Sequence, residues 1–191
     1  MAFTTIDDPS KYFQTLLYTG DGGSNRTINF DGNSDLQPDF LWVKRRNTAQ
    51  NHYLANTSDS ISKVMYSNDT GTEANETSQF KSVHSDGWVQ GSDNTNTNTH
   101  TYVAWAWKCN GGTTSSNTDG DINSTVQVNQ DAGFSIVQYT GTGSTADQTI
   151  GHGLGVRANA VIVKNRDGAA NWVVWSEGVD ANHSLELNTT D

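Results

Sequence analysis

The chain is poor in several things, and each shortage narrows the field. It has one cysteine, Cys109, in 191 residues, so no internal disulfide can form. Basic residues are scarce, 11 Lys and Arg against 21 Asp and Glu, for a formal net charge of −10. Such a surface repels a phosphate backbone. With no basic cluster beyond Lys44-Arg45-Arg46, nucleic acid is not the expected partner. No apolar run approaches the roughly 20 residues of a membrane helix, so no membrane insertion is expected. The first residues, Met1 to Asp8, lack a basic-then-apolar signal pattern, and the reading is a protein made and folded in a reducing cytoplasm. Proline occurs only twice and charged residues make only 17% of the chain.

Aromatic residues are what remains in force: six Trp, six Tyr and six Phe, set in short alternating runs between Ser-, Thr-, Asn- and Gly-rich stretches. Disordered chains are usually rich in charge and poor in aromatics. Short runs separated by Asn-Gly and Asp-Gly steps indicate many short strands, an all-β protein.

The runs also repeat. Phe13-Gln-Thr-Leu-Leu-Tyr-Thr-Gly20 returns as Phe134-Ser-Ile-Val-Gln-Tyr-Thr-Gly141, an offset of 121 (13 to 134). Leu41-Trp-Val-Lys-Arg-Arg-Asn47 returns as Val161-Ile-Val-Lys-Asn-Arg-Asp167, an offset of 120 (41 to 161). Val64-Met-Tyr-Ser-Asn-Asp-Thr70 matches Leu185-Glu-Leu-Asn-Thr-Thr-Asp191 at 121 (64 to 185). A period of that length is domain-sized. The expected organisation is an N-terminal arm at 1–12, a β-sandwich at 13–109, a linker at 110–121 that is flexible by composition, and a second, partial β-sandwich at 122–191. The first repeat runs on to Trp107, whereas the second stops at the equivalent of Thr70. Another chain or further residues are expected to complete it, and residue 191 need not be the true C-terminus.

Along the chain, Asp7-Asp8-Pro9-Ser10 is read as the start of a helical turn with Pro9 at its first position. Phe13–Thr19 and Arg26–Phe30 are read as a hairpin. Phe40–Lys44 and Ala160–Lys164 are read as strands buried on both faces. Asp93 to Thr99 has no apolar residue and is expected to be an exposed loop. Tyr102 to Lys108 alternates, with Val103, Trp105 and Trp107 on one face and Tyr102, Ala104 and Ala106 on the other.

Candidate chemistry is sparse. No nucleophile elbow, phosphate loop or zinc-ligand spacing is present, and the five histidines are scattered. Asp119-Gly-Asp-Ile-Asn123 has half the spacing of a calcium loop but lacks its later glutamate, and a turn is the better reading. The expectation is no enzyme, no cofactor and no metal. Trp105 and Trp107 could stack on sugar rings, although a core stripe fits their spacing better; Trp42 and Trp88 are likewise read as core. Lys44, Arg45 and Arg46, with Lys164 and Arg166 in the second repeat, could pair with an acidic neighbouring subunit. The arm, with Asp7, Asp8, Lys11 and Tyr12, is a second candidate for docking a partner.

Asp8-Pro-Ser-Lys-Tyr-Phe-Gln14, Phe30-Asp-Gly-Asn-Ser-Asp35, Gln37-Pro-Asp39, Trp42-Val-Lys44, Ser85-Asp-Gly87 and Tyr102-Val-Ala-Trp105 resemble a repeated domain of unknown function. It is found in virion proteins of tailed bacteriophages, especially marine phages of cyanobacteria. Asn110 to Gly120, Gly133-Phe-Ser-Ile-Val137 and Gly151-His-Gly-Leu-Gly155 resemble it too. The resemblance implies lectin-like or jelly-roll β-sandwiches in tandem, in a virion structural protein assembled in the host cytoplasm. A tail fibre or tail-associated component that attaches to the host surface is the leading expectation, with other virion proteins, copies of itself (a trimer favoured) and a host surface glycan as partners. A capsid decoration (cement) protein and a free carbohydrate-binding module are the alternatives. A glycan depolymerase ranks last, because no distinctive carboxylate pair stands out.

Overall fold

The computed structural model describes residues 6–180 and 183–190. The chain is all-β, built from several antiparallel sheets; a single 3-10 turn at Pro9–Lys11 is its helical element among the described residues. Asp8 caps that turn, accepting from Ser10 N at 3.0 Å, and Pro9 stands at its start as expected. The first repeat contributes β1 (Phe13–Thr19), β2 (Arg26–Asn29), β3 (Phe40–Arg45), β4 (His52–Asn56), β5 (Lys63–Tyr66), β6 (Ala74–Asn75), β7 (Phe80–His84), β8 (Gly87–Gln90) and β9 (Thr101–Trp107). Then come β10 (Ser115–Asn117), β11 (Ser124–Asn129), β12 (Phe134–Tyr139), β13 (Ala160–Val163), β14 (Val173–Ser176) and β15 (Leu185–Glu186).

In the first repeat, a six-stranded sheet of order β1-β9-β3-β4-β5-β6 shares one core with a three-stranded sheet of order β2-β8-β7. Cross-strand register assigns each residue of the large sheet to a face. The inner face carries the rows Gln14, Ala106, Leu41, Ala55, Val64 and Leu16, Ala104, Val43, Tyr53, Tyr66. The small sheet and its flanks supply Ile28, Phe30, Phe80 and Trp88 to the same cluster. Trp88 is wholly buried, donates from Nε1 to Gln90 Oε1 at 2.7 Å, and meets Tyr18 and Phe30 with ring centroids 6.0 and 5.5 Å apart. At the turn between β7 and β8, Gly87 has φ of +136°, and a Cβ there would lie 2.0 Å from Ile28 O. Only glycine lets β2 pair so closely with β8.

Two expectations fail in this half. β1 and β2 are not a hairpin: β1 pairs with β9 and β2 with β8, in different sheets. The Asp21–Ser24 stretch crosses between layers, where Asn96 holds it by accepting from Asp21 N and donating to Asp21 Oδ1 and Gly23 O. Nor is the Asp93–Thr99 loop exposed throughout. Thr95 and Asn96 are fully buried, anchored by Gln79, Gln90 and Asp21 rather than by apolar contacts. A hydrogen-bonded polar plug costs little to bury, and hydropathy does not reveal it.

The segment joining the repeats is pinned. Asp39, wholly buried, accepts from Cys109 N at 2.7 Å, Gly111 N at 2.9 Å and Thr57 Oγ1 at 2.8 Å. Gln127, also wholly buried, accepts from Asn110 N and Gly112 N and donates to Ser58 Oγ. Residues 115–117 of the expected linker form strand β10. Two buried side chains thus hold a stretch whose composition alone suggests flexibility.

The linker strand and the second repeat form two smaller sheets, β10-β11-β12 and β13-β14-β15. Order and register of β13-β14-β15 reproduce β3-β4-β5 at a constant offset of 120: Leu41 faces Ala55 and Val161 faces Trp175, while Leu54 faces Met65 and Val174 faces Leu185. Structure therefore aligns Leu185 with Met65, one residue from the match the letters suggest. The expectation that 160–164 is buried on both faces is overturned. Val161 and Val163 are 42% and 37% exposed, where Leu41 and Val43 are 0%. The physical reason is the absence, among the described residues, of strands equivalent to β7, β8 and β9 in this repeat.

Candidate functional site

The outer face of the large sheet is apolar too, and this is where the tryptophans go. Its rows read Phe13, Trp107, Phe40, Asn56; then Thr15, Trp105, Trp42, Leu54, Met65; then Leu17, Val103, Lys44, His52. The expectation that Trp42, Trp105 and Trp107 form a core stripe is corrected. They stand on the face opposite the core, half-buried, while Ala104, Ala106 and Tyr102 point inward. Trp88 is core, as expected.

The three indoles line a depression of about 300 Å3. Trp42 and Trp105 meet edge to face at 6.0 Å and 68°. Trp107 is more engaged. Phe13 and Phe40 pack on it at 4.8 and 5.5 Å, and Phe134 of the second repeat stacks on it at 5.9 Å and 20°. The N-terminal residue of β12 therefore forms a wall at one end of the aromatic row. Trp42 Nε1 is buried and has no acceptor among the described residues. Buried indole N–H groups usually find one.

The other candidate residues are largely committed within the chain. Asp8 binds Ser10 and takes Ser34 Oγ at 2.6 Å, which ties the turn before β1 to the loop after β2 and holds the Asp8 carboxyl below its ordinary value. Tyr12 O accepts from Lys108 N, extending the β1–β9 ladder. Asp7, before the turn, and Lys11, its last residue, are exposed. Lys44 Nζ donates to Gln50 O, and burial lowers its pKa. Arg45 donates to Asn94 O and Thr97 Oγ1 and lies 5.7 Å from the Tyr102 ring, so it braces the polar plug. Arg46 donates through its backbone to Thr101 O. In the second repeat, Arg166 binds Glu73 through Nε at 2.7 Å and Nη2 at 2.9 Å, and Asp59 at 2.9 Å. Its acidic partners belong to the first repeat of the same chain. Trp172 joins them, its Nε1 donating to Tyr66 O at 2.9 Å.

No group of three or more His, Cys, Asp or Glu placed to hold a metal occurs among the described residues. Asp121 accepts from Thr149 N and Oγ1 at 2.9 and 2.7 Å, so the Asp119–Asn123 stretch is a braced turn. The Cys109 thiol is pushed up to about 12, first by burial and then by the Asp39 carboxylate, which leaves it unreactive.

A family model described as a domain of unknown function, DUF7483, matches residues 8–191, nearly the whole chain. The chain belongs to that family. The DUF7483 match takes in both repeats and the pinned junction between them. No curated protein and no solved structure matches the chain. Alternation in Tyr102–Lys108 places Trp105 and Trp107 on one face of β9, but which face turns outward is decided by the packing of the small sheet on the other. The Phe134 wall was not legible, because it depends on how the two repeats dock.

Proposed function

We propose that this DUF7483 chain is a virion structural protein, a tail fibre or tail-associated component, and that its aromatic row contributes to attachment by holding a sugar of the host surface. Its architecture is then two lectin-like β-sandwich units in tandem, the second incomplete. The observation that carries the sugar-binding reading is the depression lined by Trp42, Trp105 and Trp107 on the face away from the core. Indole faces suit the apolar faces of sugar rings. Lys44 and His52 border the row and supply polar contacts at its rim. A pinned junction between the repeats suits a rod or knob that must present this face in a fixed orientation.

The test is tryptophan fluorescence titration against a panel of bacterial surface polysaccharides and their oligosaccharides. Saturable quenching by at least one glycan, weakened at least ten-fold by Trp105→Ala in a chain that still unfolds cooperatively, is expected. Absence of any saturable response across the panel, or equal affinity in Trp105→Ala, contradicts the site. Decoration of phage particles with an antibody against this chain tests the location: label on the tail is expected, and label on the capsid would favour the cement reading.

A further inference from the structure

Strand β13 repeats β3 in partner and register and differs in one respect. β3 has β4 on one edge and β9 on the other, whereas β13 has β14 on one edge and no strand on the other among the described residues. The backbone groups on that edge can be identified. Glu177 N donates to Asn159 O at 2.8 Å, so the odd-numbered residues of β13 are the ones bonded to β14. Ala160 and Ile162 therefore turn their N–H and C=O groups outward. Their counterparts Phe40 and Trp42 turn theirs to β9, in the ladder that Arg46 N continues by donating to Thr101 O at 2.7 Å.

We infer that the free edge of β13 accepts one antiparallel strand from a partner chain, with the small–aromatic alternation of Thr101–Trp107. The occupant is named by the first repeat, in which that pattern fills the equivalent slot: Ala106 opposite Leu41, Trp105 opposite Trp42, and Ala104 opposite Val43. Carried over at 120 residues, Val161 and Val163 face the two small residues of the incoming strand, and Ile162 faces its central aromatic. The strand satisfies the N–H and C=O of Ala160 and Ile162 and covers apolar surface on both faces of β13, where Val161, Ile162 and Val163 are exposed. An unpaired edge of this kind templates strand addition, with main-chain bonds giving affinity and alternate side chains giving register. The inference does not depend on sugar binding, which concerns the other repeat.

The test is fluorescence anisotropy of the 191-residue chain with a labelled synthetic peptide of the Thr101–Lys108 sequence. Saturable one-to-one binding is expected, weakened at least ten-fold when the peptide is N-methylated at the position of Trp105, the residue that would bond to Ile162. This control leaves the chain unaltered. A Val161→Cys chain is expected to form a disulfide with a peptide carrying cysteine at the position of Ala106 and none with cysteine at the position of Trp105. These two positions lie on opposite faces, and position 106 forms the close, non-hydrogen-bonded pair. Buried Cys109 in the unsubstituted chain is the background control. No binding, equal binding of the N-methylated peptide, or preferential disulfide-linked dimers of Val161→Cys would overturn the inference; the last outcome would assign the edge to a second copy of the chain.

Discussion

The two repeats run the same local programme to different ends. β3-β4-β5 and β13-β14-β15 share strand order and register at one offset, yet Leu41 is sealed in a core and Val161 faces solvent. Local sequence is similar, since Phe40–Val43 and Ala160–Val163 are both short apolar runs followed by a lysine. What differs lies far along the chain: β9 inserts between β1 and β3, and β8 brings Trp88 under the sheet. A strand can thus be specified locally and still depend on distant elements for burial, which supplies most of its stability.

Matched truncations should break the comparison most strongly. Leu41→Ala removes a fully buried side chain and is expected to cost about 3 kcal/mol, while Val161→Ala, at the same register position, should cost less than about 0.5 kcal/mol in urea unfolding. Similar costs would mean that β13 is covered in solution. Next is the junction. Asp39→Ala leaves the Cys109 and Gly111 amides without their acceptor, and a loss of about 2–4 kcal/mol is expected from the same unfolding curves. The ion pairs that hold the second repeat to the first should matter less. Arg166→Ala is expected to cost about 1 kcal/mol, read as faster hydrogen exchange in β14 with little change in β3. The Asp59 carboxyl lies below its ordinary value of 3.8, first because of Lys63 and then because of Arg166. Its contribution is therefore present above that value and disappears as the pH falls through the lower folded value. Acid should therefore weaken both the Asp59–Lys63 pair within the first repeat and the Asp59–Arg166 pair that joins the second repeat to it.

Most strands of the first repeat were legible because alternation and turn residues mark them, and β1 falls where its letters place it. Which face of β9 turns inward was not legible. Large aromatics on one side and alanines on the other suggest that the aromatics are core. Here Ala104 and Ala106 are the inward residues, in a cluster that already contains Trp88, Phe80 and Tyr53. The Asp21–Ser24 turn was recognisable as a turn, but a hairpin and a layer crossing use the same residues. The buried polar anchors Asp39, Gln127, Thr95 and Asn96 gave no signal, because their burial rests on hydrogen-bond partners from distant segments. The same holds for the sugar-binding candidate. Its tryptophans were visible as residue types, while their exposure followed from the fold.

The most direct test of the unequal repeats is amide hydrogen exchange compared residue by residue in β3 and β13. Trp42 N–H faces β9 inside the sheet, and its protection should approach that of global unfolding. Ile162 N–H, at the same register position, faces the open edge and should exchange at least a thousand-fold faster, between slower neighbours Val161 and Val163 that bond to β14. Equal protection of Trp42 and Ile162 in the isolated chain would contradict the account and show that the edge of β13 is already filled.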